Sequence, residues 1–297
     1  GEKHRLRVTE ILEPVYRQLD QWKKLVAIHE ARLLLLTDGA EVARLLSEVG
    51  ELHEKRGQDL GRAFNAYARA FAADPADEIV RGQIDRLATK TGAWADHVGA
   101  YEAAFAETSE PSAQLQLLQT IARVHDEKRG DPRASIMAYE RMLKIEPNDV
   151  ATLDALEQLH TMVGDWRGLV GVLERKVVVA YGGEDRASLL RRIGSVFEEF
   201  VVDREAAIDA YKRAATELDT DELALEALDR LYAMTGQALP LFQTLKRRVE
   251  LAPDPALRVE LGLRLGFLAD TRLHYSEEAI GAYRRVLDDD EANATAI

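Results

Sequence analysis

Apolar residues along this chain recur at steps of three and four, as in Ile121 and Val124 or in Ile136, Tyr139 and Leu143. That spacing puts them on one face of an α-helix. Gly and Pro punctuate the periodic blocks. Over residues 77–148 the pattern predicts four helices. The first runs from Asp77 to about Lys90 and stops at Gly92. The second starts near Trp94 and ends near Thr108, and the third follows Pro111 and ends before Gly130. The fourth begins at Pro132, capped by Asp131, and ends before Pro147. Pro in the first turn and Gly beyond the last are the expected helix punctuation. The same breakers recur down the chain as Asp38–Gly39, Glu110–Pro111, Gly182–Gly183 and Asp254–Pro255. A second set is Asp74–Pro75 and Glu146–Pro147, with Asp219 where the third Pro would stand. Connections this short make neighbouring helices antiparallel.

The blocks form a repeat. Trp22, Trp94 and Trp166 are 72 residues apart (94 − 22 and 166 − 94), with Ala238 in the fourth position. Tyr67, Tyr139, Tyr211 and Tyr283 keep the same period, as do Ala66, Ala138, Ala210 and Ala282, and Arg69, Arg141, Arg213 and Arg285. So do Leu12, Ile84, Leu156 and Leu228, and Val49, Ile121, Ile193 and Leu265. Four units are therefore expected at 5–76, 77–148, 149–220 and 221–292, each of two hairpins, giving about eight hairpins in all. A two-helix hairpin cannot bury its apolar stripe alone, so each is expected to lean on the next. Ala66 and Ala138 would permit close helix approach, Tyr67 and Tyr139 would fill the space between hairpins, and the Trp residues would pack over the preceding turn. Residues 293–297, Asn-Ala-Thr-Ala-Ile, match the start of another first helix. The chain is accordingly expected to be a fragment of a longer array, and its first residue, Gly1, fits a trimmed chain.

Composition narrows the function classes. The net charge is −13 and the pI about 5.1. A nucleic-acid partner requires a positive field to displace counterions from phosphates, so none is expected. The same sign weakens an anionic-membrane reading. No membrane insertion is expected, because the densest apolar run, Leu33 to Leu36, is one helical turn. The absence of cysteine removes disulfides and thiolate chemistry. A composition rich in Ala, Arg and Leu suggests a bacterial, cytoplasmic protein.

Ala63, Tyr67, Ala70 and Pro75 carry the spacing of the tetratricopeptide repeat (TPR), and Val49–Gly50 and Ile193–Gly194 look like the Leu-Gly pair of its first helix. Ser135, Tyr139, Met142 and Pro147 follow the pattern less closely, and Ala207, Tyr211 and Ala214 follow it without the Pro. One extra residue lies between Gly50 and Ala63 relative to the consensus. The chain thus resembles the tetratricopeptide family over nearly its whole length. The resemblance implies an all-α, right-handed α-solenoid or superhelix. It also implies that the first helix of each hairpin lines a concave groove. By register those positions are Arg44, Ser47, Glu51, Gln116, Gln119, Arg123, Ser188, Arg191 and Ser195, with Arg86, Gln158 and Arg230 from the alternate hairpins. Such polar, mixed-charge side chains suit an extended peptide, whose amides pair with Gln and Ser and whose carboxylates meet Arg.

Other chemistry finds no constellation. There is no phosphate-cradling Gly-rich loop with Lys and Ser/Thr, and no Gly-x-Ser-x-Gly turn. His29–Glu30 lacks the second His of a zinc-protease helix, and His53 and His125 are a full repeat apart, so no metal, cofactor or catalytic site is expected. Arg69, Arg141, Arg213 and Arg285 are expected on an outer face, in salt bridges to the neighbouring hairpin. The expected function is a non-catalytic scaffold that binds a partner protein or extended peptide. The alternatives are an element that self-associates end to end, or a regulatory arm of a larger enzyme.

Overall fold

The computed structural model describes the backbone of residues 2–297 and the side chains from residue 7 onward. Among the described residues there are sixteen α-helices and no strand. The first eight are α1 (Glu2–Gln18), α2 (Trp22–Leu33), α3 (Gly39–Lys55), α4 (Leu60–Ala73), α5 (Glu78–Thr91), α6 (Trp94–Glu107), α7 (Pro111–Glu127) and α8 (Pro132–Ile145). The remainder are α9 (Val150–Val163), α10 (Trp166–Val179), α11 (Gly183–Val196), α12 (Arg204–Glu217), α13 (Glu222–Thr235), α14 (Ala238–Leu251), α15 (Pro255–Leu268) and α16 (Ser276–Asp289). No helix among the described residues is long and apolar enough to cross a membrane.

Local chemistry sets these boundaries. Asp59, Asp77, Asp131, Asp203 and Asp221 each accept a hydrogen bond from a backbone N–H of the first turn that follows. Each such cap contributes about 0.5–2 kcal/mol by satisfying an otherwise orphaned donor. Gly92 and Gly236 close α5 and α13 in the left-handed region that an L side chain enters only at a cost. A second left-handed column lies between α3 and α4 and its repeats, at Gln58, Gly130, Val202 and His274. Before Val202 and His274 the chain widens into five-residue π-helical turns, Phe197–Val201 and Ala269–Leu273. The extra residue between Gly50 and Ala63 lies in the region that contains this left-handed turn. The apolar run Leu33–Leu36 spans the end of α2. α2 ends at Leu33, and Leu34 is exposed.

Contacts divide the chain into two compact units, Gly1–Ala155 and Leu156–Ile297. In the first, α3 packs on α4 and α7 on α8 over a core of Leu46, Phe71, Ile84, Leu87, Leu118 and Ile121. In the second, α11 packs on α12 and α15 on α16, over Leu173, Leu190 and Ile193 and over Leu245, Leu261 and Leu265. Burying one such side chain contributes roughly 1.5–3 kcal/mol.

Two packing details add to the expected ones. A Cβ on Gly50 would lie 2.9 Å from the Tyr67 ring, and one on Gly194 or Gly266 would lie 2.7 Å from Tyr211 or Tyr283. The tyrosine of the fourth helix therefore rests on the third helix of its own hairpin and also, as expected, meets the next hairpin: Tyr67 lies with Val80 and Arg86, and Tyr211 packs with Leu228 and Leu231. The tryptophans cover the far end of the third helix. Trp22 meets His53 edge-on at 6.1 Å, Trp166 stacks on Phe200 at 3.9 Å, and Lys128 Nζ lies 5.8 Å from the Trp94 ring.

Candidate functional site

In the unit Gly1–Ala155 the helices α3, α5 and α7 share a face with a depression on each side of α5. One, of about 490 Å3, is lined by Ser47, Glu51, Glu54, Tyr67, Gln83 and Arg86 among others. The other, of about 530 Å3, is lined by Arg81, Tyr101, Gln116, Gln119, Arg123 and Tyr139 among others. Six of the residues picked from the sequence thus gather in two neighbouring hollows: Ser47, Glu51 and Arg86 in one, Gln116, Gln119 and Arg123 in the other.

The hollows differ in electrostatic character. In the first, Glu51 is held by Lys55 and Glu54 by Arg86 at 2.6 Å, so its charges are already matched. Burial, the largest influence on the Tyr67 hydroxyl there, helps to push its pKa up to about 12. In the second, Gln116, Gln119 and Arg123 are exposed and form no side-chain hydrogen bond or ion pair, although the Gln116 carbonyl accepts from Thr120. Below them Asp85 accepts from His97 Nε2 at 2.7 Å and from the Tyr101 hydroxyl at 3.0 Å. Burial pushes the Asp85 carboxyl up, but those two partners outweigh it and hold it below its ordinary value.

Asp85 belongs to a column that the sequence reading overlooked. Glu13, Asp85, Glu157 and Asp229 are spaced by 72 residues, and each ties its helix to the one after it. Glu13 takes Arg32 at 3.4 Å, Glu157 takes Lys176 and Arg192 at 2.6 Å each, and Asp229 takes Arg248 and Arg264. Asp229 is 2% exposed, and its two guanidinium partners are what make that burial tolerable. The period itself was a sufficient signal; residue type alone hides it, because an acidic residue in a helix ordinarily faces solvent.

The remaining selected residues line neither of these two hollows. Arg44 is exposed and bonds Glu48 within α3 at 2.8 Å. In the unit Leu156–Ile297, Gln158 and Ser188 are exposed, Ser195 donates to Glu199 at 2.8 Å, Arg191 is held by buried Asp221 at 2.7 Å, and Arg230 is gripped by Glu198. Arg230 and Arg86 are the same column two repeats apart, each bonded to the glutamate 32 residues before it.

On α4, α8 and α12 the arginine column is engaged, whereas its fourth member, Arg285 on α16, has no such bond. Arg69, Arg141 and Arg213 each make a two-point bond to Glu30, Glu102 and Glu174, at N–O distances of 2.6–3.1 Å. Glu13, His29 and Glu48 bring potential ligand atoms within 4.8 Å of one another. Arg17 lies 3.0 Å from both carboxylates, Arg32 is 3.4 Å from Glu13, and Arg44 is 2.8 Å from Glu48. Three guanidinium groups already face two carboxylates, so a dication there would enter positive surroundings. The cluster is a closed ion-pair network around a buried imidazole.

Serial antiparallel hairpins, a glycine or alanine under each hairpin tyrosine and a 72-residue period of ion pairs define a helical repeat protein of the tetratricopeptide kind. No protein-family model matches the chain. Over 103 residues, 35% of the chain, it is 30% identical to the UPF0122 protein EAT1b_2891 of Exiguobacterium sp., of which it covers 88%. Over that stretch the chain belongs to the family of that protein, whose name states no activity. Among solved structures, MamA is similar at 23% identity with a TM-score of 0.33, over 58% of this chain and 95% of that one. The C-terminal part of a TPR repeat-containing protein of Cytophaga hutchinsonii is similar at 11% identity and a TM-score of 0.34, over 86% and 97% of the two chains. Naa15/Naa10 bound to HypK-THB is similar at 15% identity and a TM-score of 0.41, over 99% and 43%. None of these likenesses transfers an activity.

Proposed function

We propose that this protein is a non-catalytic scaffold that holds an extended segment of a partner protein along the face formed by α3, α5 and α7. The observation that carries this reading is the second hollow, where Gln116, Gln119 and Arg123 stand exposed and unbonded over Tyr101 and Tyr139. Glutamine amides offer a donor and an acceptor each, which is what a peptide backbone in extended form needs. Arg123 offers a two-point donor to a carboxylate. The tyrosine rings supply apolar contact at little entropic cost. The first hollow, with its matched charges, would take the flanking residues.

A phage-displayed library of random peptides, panned against the whole chain, tests this. Enriched peptides should lose binding to a Gln116→Ala, Gln119→Ala, Arg123→Glu triple variant. These residues are exposed and make no side-chain bond, so the variant should melt as the parent does. Absence of enrichment, or equal binding to the variant, would remove the face from consideration. Arg191→Glu is unsuited as a probe, because it would strand the buried Asp221 carboxylate.

A further inference from the structure

Within Leu156–Ile297 one place departs from the repeat in two independent ways. The first departure concerns volume. Leu46, Leu118 and Leu190 are buried leucines spaced by 72, and the next member of that column is Gly262. Across the hairpin, Ala70, Met142 and Ala214 are followed by Val286, whose Cγ2 leans to 2.6 Å from where a Gly262 Cβ would lie. A glycine–valine pair has two side-chain carbons fewer than the leucine–alanine pair of the first and third repeats. A cavity of about 340 Å3 opens here between α14, α15 and α16, with Val249, Leu265, Ala282 and Val286 as its apolar wall. That volume lies within the range of small-molecule sites.

The second departure concerns charge. Arg285 is the fourth member of the column in which Arg69, Arg141 and Arg213 are each bonded to a glutamate. Its partner position, 39 residues earlier, is Lys246, which points instead to Glu278 at 3.6 Å. Arg285 therefore reaches the cavity rim with no hydrogen bond or ion pair. Asp288, three residues on and also at the rim, has none either. The other rim charges are matched: Arg258 is bonded to Asp289 at 2.6 Å, and Glu250 to Arg247 at 3.2 Å.

We propose that this cavity binds a free α-amino acid with a branched or aromatic apolar side chain. Arg285 takes the carboxylate, Asp288 takes the ammonium, and the side chain enters the cavity against Val249, Leu265 and Val286. Residues three apart on a helix are neighbours, so the two charges stand side by side at the mouth. A plain fatty acid would leave Asp288 without a partner, and a plain amine would leave Arg285 without one. The site is separate from the peptide-binding face and does not depend on it.

Isothermal titration of the whole chain with leucine, isocaproate, isoamylamine and glycine tests the assignment. Leucine should give a saturable heat and raise the melting temperature. Each analogue, lacking one of the three recognised groups, should bind at least about tenfold more weakly. The double variant G262L/V286A restores the leucine–alanine pair of the first and third repeats; it should fold and no longer bind. Arg285→Gln and Asp288→Asn change exposed side chains only. Each should keep the fold and weaken leucine by about tenfold or more, which decides the matter even if the cavity-filling variant does not fold. No saturable heat with leucine, or undiminished binding in Arg285→Gln or in a folded G262L/V286A, would overturn the proposal.

Discussion

Arg141 grips Glu102 through both terminal nitrogens, at 2.6 and 2.9 Å, across 39 residues of sequence. The same bond joins Arg69 to Glu30 and Arg213 to Glu174, so one outer contact recurs in three repeats. In the fourth, Lys246 faces the column where glutamate is needed, and Arg285 is unpaired. Lys246→Glu should complete the ladder. Exposed ion pairs contribute little, about 0.2–1 kcal/mol, so the expected gain in unfolding free energy is of that size. It should disappear in a Lys246→Glu, Arg285→Ala double variant. Urea denaturation of the four members of the cycle measures it; a coupling energy of zero would mean the column does not close in the fourth repeat.

Packing of glycine under tyrosine should be far less forgiving. In Gly194→Ala the new methyl group would lie 2.7 Å from the Tyr211 ring, well inside contact distance. Tyr211 is buried and its ring lies against Gly194 of α11 and among Leu228 and Leu231 of α13, so relief requires those helices to part slightly. The expected loss is about 1–3 kcal/mol, the usual range for overpacking a filled core. The second repeat already has Ala122 at this position, and there Tyr139 is only half-buried. Gly194→Ala should therefore push Tyr211 outward and not unfold the chain, which tyrosine fluorescence quenching by acrylamide would report alongside the lower denaturation midpoint.

The helices and their pairing were legible because 72-residue columns of Trp, Tyr, Ala and Arg needed no gap to align. Helix ends followed from Asp, Gly and Pro, whose effects on the backbone are local. Side-chain placement across helices was less legible. Tyr67 was expected between hairpins, but that its ring also rests on Gly50 of its own hairpin depends on a close helix approach that the spacing does not supply. The column of Glu13, Asp85, Glu157 and Asp229 was missed for a different reason. A carboxylate is assumed solvated unless a cation is known to reach it, and Arg248 and Arg264 reach Asp229 from helices whose position the sequence does not supply. Of the twelve side chains selected for a binding face, six line the hollows beside α5. Arg191 and Arg230 had the right residue type and register but are occupied by Asp221 and Glu198.

Val202 holds a left-handed conformation, φ 60°, in the column shared by Gln58, Gly130 and His274. A β-branched side chain is the least suited to that region, where even an unbranched L residue is disfavoured by roughly 1–2 kcal/mol. Val202 is 71% exposed and so gains little from packing in return. Val202→Gly should raise stability by about 0.5–1 kcal/mol, the relief of strain being partly offset by the greater freedom of glycine in the unfolded chain. Gly130→Val, the reverse change one repeat earlier, should lower it by a similar amount. Thermal melts of the two variants check both signs, and a destabilised Val202→Gly would show that the valine methyls carry the π-helical turn before it.

Acid should weaken the first unit through His29. Its ring is fully buried, with both nitrogens lacking a hydrogen bond, although Glu48 lies 3.4 Å from Nε2. Burial pulls the imidazole below its ordinary value. Glu48 and Glu13 oppose the shift, Arg17 and Arg32 reinforce it, and burial prevails. The unfolded chain therefore takes up the proton first as pH falls through about 6.5, and stability declines from there down toward the folded value. Above about 6.5 both states are neutral at this residue and its contribution no longer changes with pH. The equivalent positions in the third and fourth repeats are Leu173 and Leu245, so His29→Leu should fit the site. Urea midpoints compared at about pH 7.5 and about pH 5.5 should fall less in His29→Leu than in the parent. His53 and His125, also lowered by burial, should keep part of the slope in both proteins. An unchanged slope in His29→Leu would mean that Glu13 and Glu48 keep the imidazole as easily protonated when folded as when unfolded.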